Sequence, residues 1–313
     1  MMANSGTACP IIGFGAWAPD VGEERTTRAK QWLGSALKIG YRHIDTAYAY
    51  GTEKAVGDAI RESGIERENI FVVSKLPPHH HGRVAESLQE TLDNLGFEWL
   101  DMYLMHWPIA APYEGDDTGT PKALPTINDT WEQMEQCLQT GKCKAIGVSN
   151  CSIKMLEQLL KTVKVKPAQN QVEMHPYLAQ NDLLAFCRER DIAVVAYTPS
   201  GMCSRVKKHP PTILSLRTTG TNVVRNDPVI VELAAKYNVT PTQIILAWHL
   251  SREVVVIPKS TNEGRQKENF NLPTLKAEDI KKIDGLDRGQ RICNKPDENG
   301  LVWGMSAEQL GWV

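Results

Sequence analysis

The feature that most constrains this chain is a regular alternation of short, β-rich apolar runs with helical stretches. Such alternation is typical of a parallel sheet whose strands are joined by crossover helices. Several runs are almost continuously apolar, as expected for strands covered on both faces. The strand candidates are Tyr41–Thr46, Ile70–Lys75, Leu100–His106, Ala145–Ser149, Ala168–Glu173, Ala193–Tyr197, Val254–Pro258 and, with a much weaker pattern, Phe270–Leu272.

Between these runs, apolar residues recur with helical spacing. Ala29, Trp32 and Leu33 begin a buried stripe that predicts a helix over Glu24–Ile39, and five later segments repeat the pattern. Thr240-Pro241 is a helix start signal, with a capping hydroxyl before a proline. Eight strands interleaved with helices favour a closed (β/α)₈ TIM barrel, although the count alone does not exclude a doubly wound open sheet.

Two long stretches without periodicity follow predicted strands, Pro108–Pro125 and Ser200–Asp227. Loops longer than about 12–15 residues in a compact domain are commonly lids or binding loops. Because both follow strands, we expect them at the C-terminal face of the barrel, where active sites are built. No repeat or low-complexity linker divides the chain, so residues 1–313 are expected to form a single barrel domain.

Composition argues against several classes of partner. The 35 Lys and Arg residues against 37 Asp and Glu give a net charge of −2, without the positive field of a nucleic-acid binder. No uncharged apolar run reaches the ~18 residues of a membrane span, and the first ten residues lack a secretory signal pattern. We therefore expect a cytoplasmic protein with no membrane partner.

The seven cysteines form no C-x-x-C pair and are expected to be reduced thiols.

Polar residues at the ends of the first three predicted strands are the candidates for chemistry: Asp45 with nearby Tyr50, then Lys75, then His106. Each has a structural alternative, since such a Lys is often solvated, a His can be a core residue and a Tyr can anchor a loop. If they converge, the Lys75 ammonium would lower the pKa of the Tyr50 phenol, and Asp45 would keep Lys75 charged. His106 could donate a hydrogen bond to a substrate oxygen. This set could protonate an oxygen as hydride arrives at carbon.

Three consecutive histidines, His79–His81, lie in a proline-rich turn. Consecutive side chains cannot all face one ion, and no other ligand cluster accompanies them. We therefore expect no metal site.

A basic segment closes the barrel pattern, with Lys259 and Ser260 leaving a strand end and Arg265 opening the next helix, near Glu268 and Asn269. Helix N-termini favour anions, and Lys with Arg suits a phosphate, whereas either cation alone would suggest only a basic turn. The G-x-G-x-x-G dinucleotide fingerprint is absent, and Gly13-Phe14-Gly15 precedes the first predicted strand without completing it. A bound nucleotide would be held in another way.

Eight motifs in one order resemble the aldo-keto reductase superfamily, and together they span Gly13 to Asn269. They are Gly13-Phe14-Gly15-Ala16-Trp17, His43-Ile44-Asp45-Thr46-Ala47 with Tyr50-Gly51, Val73-Ser74-Lys75-Leu76, Tyr103-Leu104-Met105-His106-Trp107-Pro108, Gly147-Val148-Ser149-Asn150, Asn170-Gln171-Val172-Glu173 with His175-Pro176-Tyr177, Ala196-Tyr197, and Ile257-Pro258-Lys259-Ser260.

The resemblance implies a barrel that reduces aldehydes or ketones with NADPH, with a catalytic tetrad of Asp45, Tyr50, Lys75 and His106 and with Tyr50 as the general acid. It further implies cofactor contacts and two pocket-lining aromatics. These are Ser149, Asn150 and Gln171 on the carboxamide, Tyr197 stacked on the nicotinamide, Thr198 and Ser200 in the loop over the pyrophosphate, Lys259, Ser260 and Arg265 on the 2′-phosphate, Glu268 and Asn269 on the adenine, and Trp17 and Trp107 beside the substrate.

The sequence departs from the family at Thr198-Pro199-Ser200-Gly201, where Ser-Pro-Leu-Gly is usual, and the tail from Arg291 maps onto no substrate class. Two other activities fit the same motifs: oxidation of an alcohol or polyol in the reverse direction, and non-catalytic binding of NADPH by a redox-sensing module. An unrelated barrel hydrolase is a third alternative. The expected partner is a small carbonyl compound, and the expected oligomeric state is a monomer.

Overall fold

Eight parallel strands form the centre of the computed structural model, which describes residues 8–18, 22–111, 124–201 and 223–313. Each strand pairs with the next one along the chain, in the order β1 to β8. The strands are β1 (Phe14–Gly15), β2 (His43–Asp45), β3 (Phe71–Leu76), β4 (Met102–Met105), β5 (Ile146–Ser149), β6 (Gln169–Glu173), β7 (Ala193–Tyr197) and β8 (Val255–Val256). The predicted (β/α)₈ barrel is confirmed.

The barrel closes between its first and last strands. The Gly13 N–H donates to the Val256 carbonyl oxygen at 2.8 Å, and the Val256 N–H donates to the Ile11 carbonyl oxygen at 3.0 Å. A Cβ at Gly15 would lie 3.0 Å from the Ile257 carbonyl oxygen, so the close approach of the chain after β8 favours glycine here.

This closure corrects two sequence predictions. The first barrel strand is Phe14–Gly15, which the sequence pattern placed before the barrel. The weak eighth candidate, Phe270–Leu272, is not a strand, because Phe270 ends a helix and Asn271 caps it. Seven of the predicted strands are confirmed, with shorter bounds in most cases.

Helices surround the barrel and bury one face against it. In α1 the predicted stripe of Ala29, Trp32 and Leu33 is buried, and in α8 Thr240 and Gln243 form a capping box at the predicted helix start. The helices are α1 (Gly22–Ile39), α2 (Glu53–Glu62), α3 (Val84–Leu95), α4 (Ile127–Gln139), α5 (Ile153–Leu159), α6 (Asn181–Arg188), α7 (Pro228–Tyr237), α8 (Pro241–Ser251), α9 (Glu263–Phe270) and α10 (Ala277–Asp284).

A C-terminal segment follows α10 and carries a small hairpin, β9 (Leu301–Val302) and β10 (Met305–Ser306). Val302 and Met305 pack with Leu310 against Trp107. The segment therefore covers the residue that follows His106 at the end of β4.

Most of the two predicted long loops lies outside the described residues, which omit 112–123 and 202–222. Five described cysteines are free and buried, at positions 9, 137, 143, 151 and 187. Cys293 is disulfide-bonded, so the expectation of reduced thiols is wrong at that position. Within the described ranges, no helix is long and apolar enough to cross a membrane.

Candidate active site

Four side chains meet where the first strands end. Asp45 is the last residue of β2, and Tyr50 ends the 3₁₀ turn Tyr48–Tyr50 that follows it. Lys75 lies near the end of β3, and His106 follows β4 directly. Parallel strands in a barrel end at one face, and the side chains that the sequence offered as candidates, with convergence left open, lie together at this face.

An ion pair forms the base of the site. The Lys75 Nζ donates to Asp45 Oδ1 at 2.6 Å and to the Thr46 carbonyl oxygen at 2.8 Å. The side chains of Lys75 and Asp45 are 0 % and 2 % exposed, so solvent hardly screens the pair. Burial lowers the pKa of Lys75, while the charge of Asp45 and its hydrogen bond oppose that shift.

Two aromatic rings lie beside this pair. The Lys75 Nζ is 5.0 Å from the centroid of the Tyr50 ring, and the His106 ring meets the Tyr50 ring edge-on, with centroids 5.6 Å apart. Both Tyr50 and His106 are partly exposed, whereas Asp45 and Lys75 are buried. The two groups able to give a proton or a hydrogen bond therefore face the surface, with the charges beneath them.

The protonation of Tyr50 differs from the sequence prediction. Burial raises the pKa of the Tyr50 phenol, and the negative charge of Asp45 raises it further. Lys75 was expected to lower this pKa, but its charge is paired directly with Asp45. Tyr50 is therefore a neutral phenol across the physiological range.

His106 is neutral as well. Burial lowers the pKa of its imidazole to about 3, and the positive charge of Lys75 acts in the same direction. A neutral imidazole keeps one N–H donor and one acceptor nitrogen. At neutral pH, His106 can therefore donate a hydrogen bond without carrying a charge.

Of the three predicted carboxamide contacts, Ser149 ends β5, Asn150 follows it directly, and Gln171 lies in the middle of β6. The Ser149 Oγ donates to the Gln171 carbonyl oxygen at 2.8 Å, and the Asn150 Nδ2 donates to the His106 carbonyl oxygen at 2.9 Å. The Gln171 Nε2 donates to Asp45 Oδ2 at 2.7 Å. These contacts join the amide side chains directly to the catalytic candidates.

Tyr197 ends β7 on the same face, partly exposed. Its hydroxyl donates to Asn150 Oδ1 at 2.6 Å and accepts a hydrogen bond from the Nδ2 of Asn294. Asn294 belongs to the C-terminal segment, to which the sequence reasoning gave no role. The tail from Arg291 has no periodicity or motif that could have singled it out.

The loop after Tyr197 begins with a strained residue. Thr198 has a φ of 46°, in the left-handed region that a β-branched residue rarely adopts. Its Oγ1 is buried and has no hydrogen-bond partner among the described residues. A buried polar atom without a partner beside a strained backbone fits a loop that receives a ligand here. Ser200 lies two residues further on, partly exposed.

The predicted phosphate contacts lie around the beginning of α9. The Lys259 Nζ is 5.3 Å from the centroid of the Trp32 ring, and the buried Ser260 Oγ accepts from the Asn262 N–H at 3.1 Å. Asn262 caps α9 through the Arg265 N–H, and the Arg265 side chain is exposed. Two cations at a helix N-terminus suit an anion, as predicted.

Three further residues belong to this region. Glu268 borders a cavity of about 320 Å³ beside α7 and α8, and Asn269 is buried. Arg225 was not singled out from the sequence. Burial lowers its pKa, and so does the positive charge of Arg265, which places the two guanidinium groups near each other.

The two predicted pocket aromatics differ in exposure. Trp17 is partly exposed, whereas Trp107 is 8 % exposed and packs against the C-terminal hairpin. The sequence identified Trp107 by its place beside His106 but could not show that the tail covers it.

The histidine run is used for packing. The His80 Nδ1 lies 2.9 Å from Ser87 Oγ, and the His81 Nδ1 lies 3.2 Å from Thr130 Oγ1. Burial is the main cause that lowers the pKa of both His80 and His81 to about 4. In the described part of the chain, no group of three or more His, Cys, Asp or Glu side chains is placed to hold a metal.

Comparison with known proteins decides the family. The model of the "Aldo/keto reductase family" matches residues 11–288. The chain belongs to the aldo/keto reductase family. It is therefore an oxidoreductase that acts on carbonyl or alcohol groups.

Relatives of this aldo/keto reductase align over most of its length. "Aldo-keto reductase family 1 member A1" of Rattus norvegicus is 37 % identical over 306 residues, covering 93 % of this chain and 90 % of the relative. The protein of the same name from Sus scrofa is 38 % identical over 309 residues, with the same coverage. "Glycerol 2-dehydrogenase (NADP(+))" of Saccharomyces cerevisiae is 39 % identical over 314 residues, covering 94 % of this chain and 93 % of the relative.

Proposed function

We propose that Tyr50 is the general acid of this aldo/keto reductase, which reduces aldehydes or ketones to alcohols with NADPH. The observation that carries the proposal is the buried Asp45–Lys75 ion pair beneath two partly exposed rings, Tyr50 and His106. NADPH supplies the hydride that the carbonyl carbon accepts.

Each residue then has one task at the substrate oxygen. Neutral His106 donates a hydrogen bond as negative charge develops there. The raised pKa of Tyr50 keeps its proton in place until an alkoxide, a stronger base than phenolate, begins to form. The Lys75 ammonium, 5.0 Å from the centroid of the Tyr50 ring, offsets the negative charge of Asp45 beside the resulting phenolate, and Asp45 keeps Lys75 charged and oriented.

The residues available for NADP(H) fit its chemical groups. The Thr198 Oγ1, which has no hydrogen-bond partner among the described residues, and the strained backbone at Thr198 suit a loop that contacts the pyrophosphate. The cations near the start of α9 suit the 2′-phosphate that distinguishes NADPH from NADH. We assign the contacts to Ser149, Asn150, Gln171, Tyr197, Thr198, Ser200, Lys259, Ser260, Arg265, Glu268 and Asn269, and the substrate wall to Trp17 and Trp107.

Alcohol oxidation is the second candidate, favoured by the name of the yeast relative, glycerol 2-dehydrogenase. In that direction the same groups would serve in reverse, and the phenolate form of Tyr50 would receive the alcohol proton. Initial rates with NADPH and aldehydes against NADP⁺ and polyols identify the preferred reaction.

We further propose a cytoplasmic, single-domain monomer that binds neither nucleic acid nor membrane, in line with its net charge of −2. Light scattering on the eluting protein tests the monomer.

Replacing Tyr50 by Phe tests the central assignment. Tyr50→Phe removes the proton but keeps the ring, so NADPH affinity should stay within about twofold of wild type, while turnover should fall by at least ~10²-fold, the usual contribution of general acid catalysis. Isothermal titration gives the affinity, and NADPH oxidation with a panel of aldehydes gives the rate.

Tyr48→Phe is the matched control, because Tyr48 lies in the same 3₁₀ turn and should tolerate the change. Turnover retained in Tyr50→Phe would remove Tyr50 as the acid. Tight NADPH binding by the wild type without turnover of any carbonyl would instead support the redox-sensing module.

A further inference from the structure

Asn294 connects the C-terminal segment to the predicted nicotinamide contacts. It is 3 % exposed, its Nδ2 donates to the Tyr197 hydroxyl, and its Oδ1 accepts from the Trp303 indole N–H at 3.2 Å. Its backbone is fixed as well, because its N–H donates to Glu173 Oε2 at 3.0 Å. A tail residue is thus held rigidly against the end of β7.

The chain of hydrogen bonds continues beyond Tyr197. The Tyr197 hydroxyl donates to Asn150 Oδ1 at 2.6 Å, and the Asn150 Nδ2 donates to the His106 carbonyl oxygen at 2.9 Å. One uninterrupted path therefore leads from Trp303 to His106.

The two ends of this path fix its direction. The Trp303 indole N–H can only donate, and the His106 carbonyl can only accept. The amide of Asn294 must therefore turn its oxygen to Trp303 and its NH₂ to Tyr197. The single proton of the Tyr197 hydroxyl then goes to Asn150, so each group has one orientation.

The backbone at Trp303 supports a functional role. Trp303 and Gly304 form the two-residue turn between β9 and β10, with φ values of 54° and 83°. Such turns favour Asn, Asp or Gly at both positions, and Trp is costly there. Trp303 is also 70 % exposed, so burial of its side chain does not offset the free-energy cost of its positive φ. From this turn, the Trp303 indole N–H donates to Asn294 Oδ1.

We propose that Asn294 and Trp303 are positioning residues that fix the ring of Tyr197 and the amide of Asn150 for the nicotinamide of the cofactor. The inference rests on the proposed function, which assigns Tyr197 and Asn150 to the nicotinamide. With its hydroxyl bonded on both sides, the Tyr197 side chain cannot swing away from the end of β7 through χ1 without breaking two hydrogen bonds. The C-terminal segment thereby helps to set cofactor affinity.

Asn294→Ala and Asn294→Asp test this relay, the path of hydrogen bonds that leads from Trp303 through Asn294, Tyr197 and Asn150 to His106. Asn294→Ala should weaken NADPH binding about three- to tenfold, the effect of losing one hydrogen bond with its orientation. Asn294→Asp should lose at least as much although it keeps the volume, because a carboxylate cannot donate to Tyr197. Trp303→Phe, which keeps a ring but removes the N–H, should give a smaller loss in the same direction. Isothermal titration supplies the affinities, and urea midpoints within error of wild type show intact folding.

Asn299→Ala is the matched control, an exposed asparagine in the same segment, and should bind NADPH like wild type. The decisive measurement adds Tyr197→Phe. If Asn294 acts through the Tyr197 hydroxyl, Asn294→Ala should change NADPH affinity by less than about twofold in the Tyr197→Phe background.

Three results would overturn the relay. An additive loss in the double variant would mean that Asn294 affects NADPH binding independently of the Tyr197 hydroxyl. Equal NADPH affinity of wild type and Asn294→Ala would refute the relay alone and leave the proposed function standing. No NADPH binding by the wild type would refute both.

Discussion

The buried ion pair makes the sharpest prediction about this enzyme. Asp45→Asn leaves the Lys75 ammonium without a counter-charge in a place where that side chain is fully buried. Removing one partner of a buried pair costs about 3–5 kcal/mol of unfolding free energy. The Thr46 carbonyl oxygen still accepts a hydrogen bond from Lys75, and burial already lowers the pKa of Lys75, so the lysine can shed its proton. We therefore expect the lower end, about 3 kcal/mol.

The double variant Asp45→Asn/Lys75→Met distinguishes the effect of the charge pair on stability from its effect on catalysis. It removes both charges together, so its unfolding free energy should return to within about 1–2 kcal/mol of wild type, while carbonyl reduction stays abolished. Urea unfolding followed by tryptophan fluorescence gives stability, and NADPH oxidation gives activity.

A surface carboxylate provides the comparison. Asp58 pairs with Lys54 and Arg61 in solvent, so Asp58→Asn should cost less than about 1 kcal/mol. If Asp45→Asn unfolds like wild type, or if the double variant is no more stable than the single one, then the charges of Asp45 and Lys75 do not stabilise the fold as a pair.

Two more predictions concern the cofactor and the tail. Lys259→Met should weaken NADPH binding about tenfold while changing NADH affinity little, because a charge-assisted contact to the 2′-phosphate is lost; equal losses for both cofactors would contradict this. Burial alone would raise the pKa of Glu173, but hydrogen bonds from His175 and from the Cys293 and Ile292 N–H groups lower it below its ordinary value. Because the folded pKa is the lower one, this stabilisation is present above the ordinary glutamate pKa and is lost as pH falls through the folded value. The urea midpoint of wild type should therefore fall on acidification more steeply than that of Glu173→Gln, and parallel curves would contradict the assignment.

Much of the barrel could be predicted from the sequence because its strands are buried on both faces. Such strands leave apolar runs that stand out from amphipathic helices. β1 escaped this pattern because the close approach at Gly15 selects glycine, which has little strand propensity. Phe270–Leu272 gave a false signal because a short apolar run at the end of a helix has the same composition as a buried strand.

The catalytic candidates could be identified from the sequence for a related reason. Asp45, Lys75 and His106 come at strand ends, so the topology fixes where they meet. Asn294 does not follow a barrel strand, so the strand order does not predict where it lies. Its position depends on Glu173, whose carboxylate accepts from the backbone N–H groups of residues 292–294 and so fastens an aperiodic tail to β6. Contacts of this kind depend on tertiary structure and leave no local pattern.

The hydrogen bond from Gln171 means that a substitution of Asp45 changes both the charge beside Lys75 and the position of the Gln171 amide. One oxygen of that carboxylate accepts from Lys75 and the other from Gln171, so both partners are donors. An asparagine at this position has one oxygen and one NH₂ group, and would turn its NH₂ towards one of the two donors. Asp45→Asn must therefore disturb either Lys75 or the amide assigned to the nicotinamide carboxamide. Lys75→Met leaves the Asp45–Gln171 hydrogen bond in place, so a loss of turnover with unchanged cofactor affinity in that variant isolates the contribution of the ammonium to proton transfer.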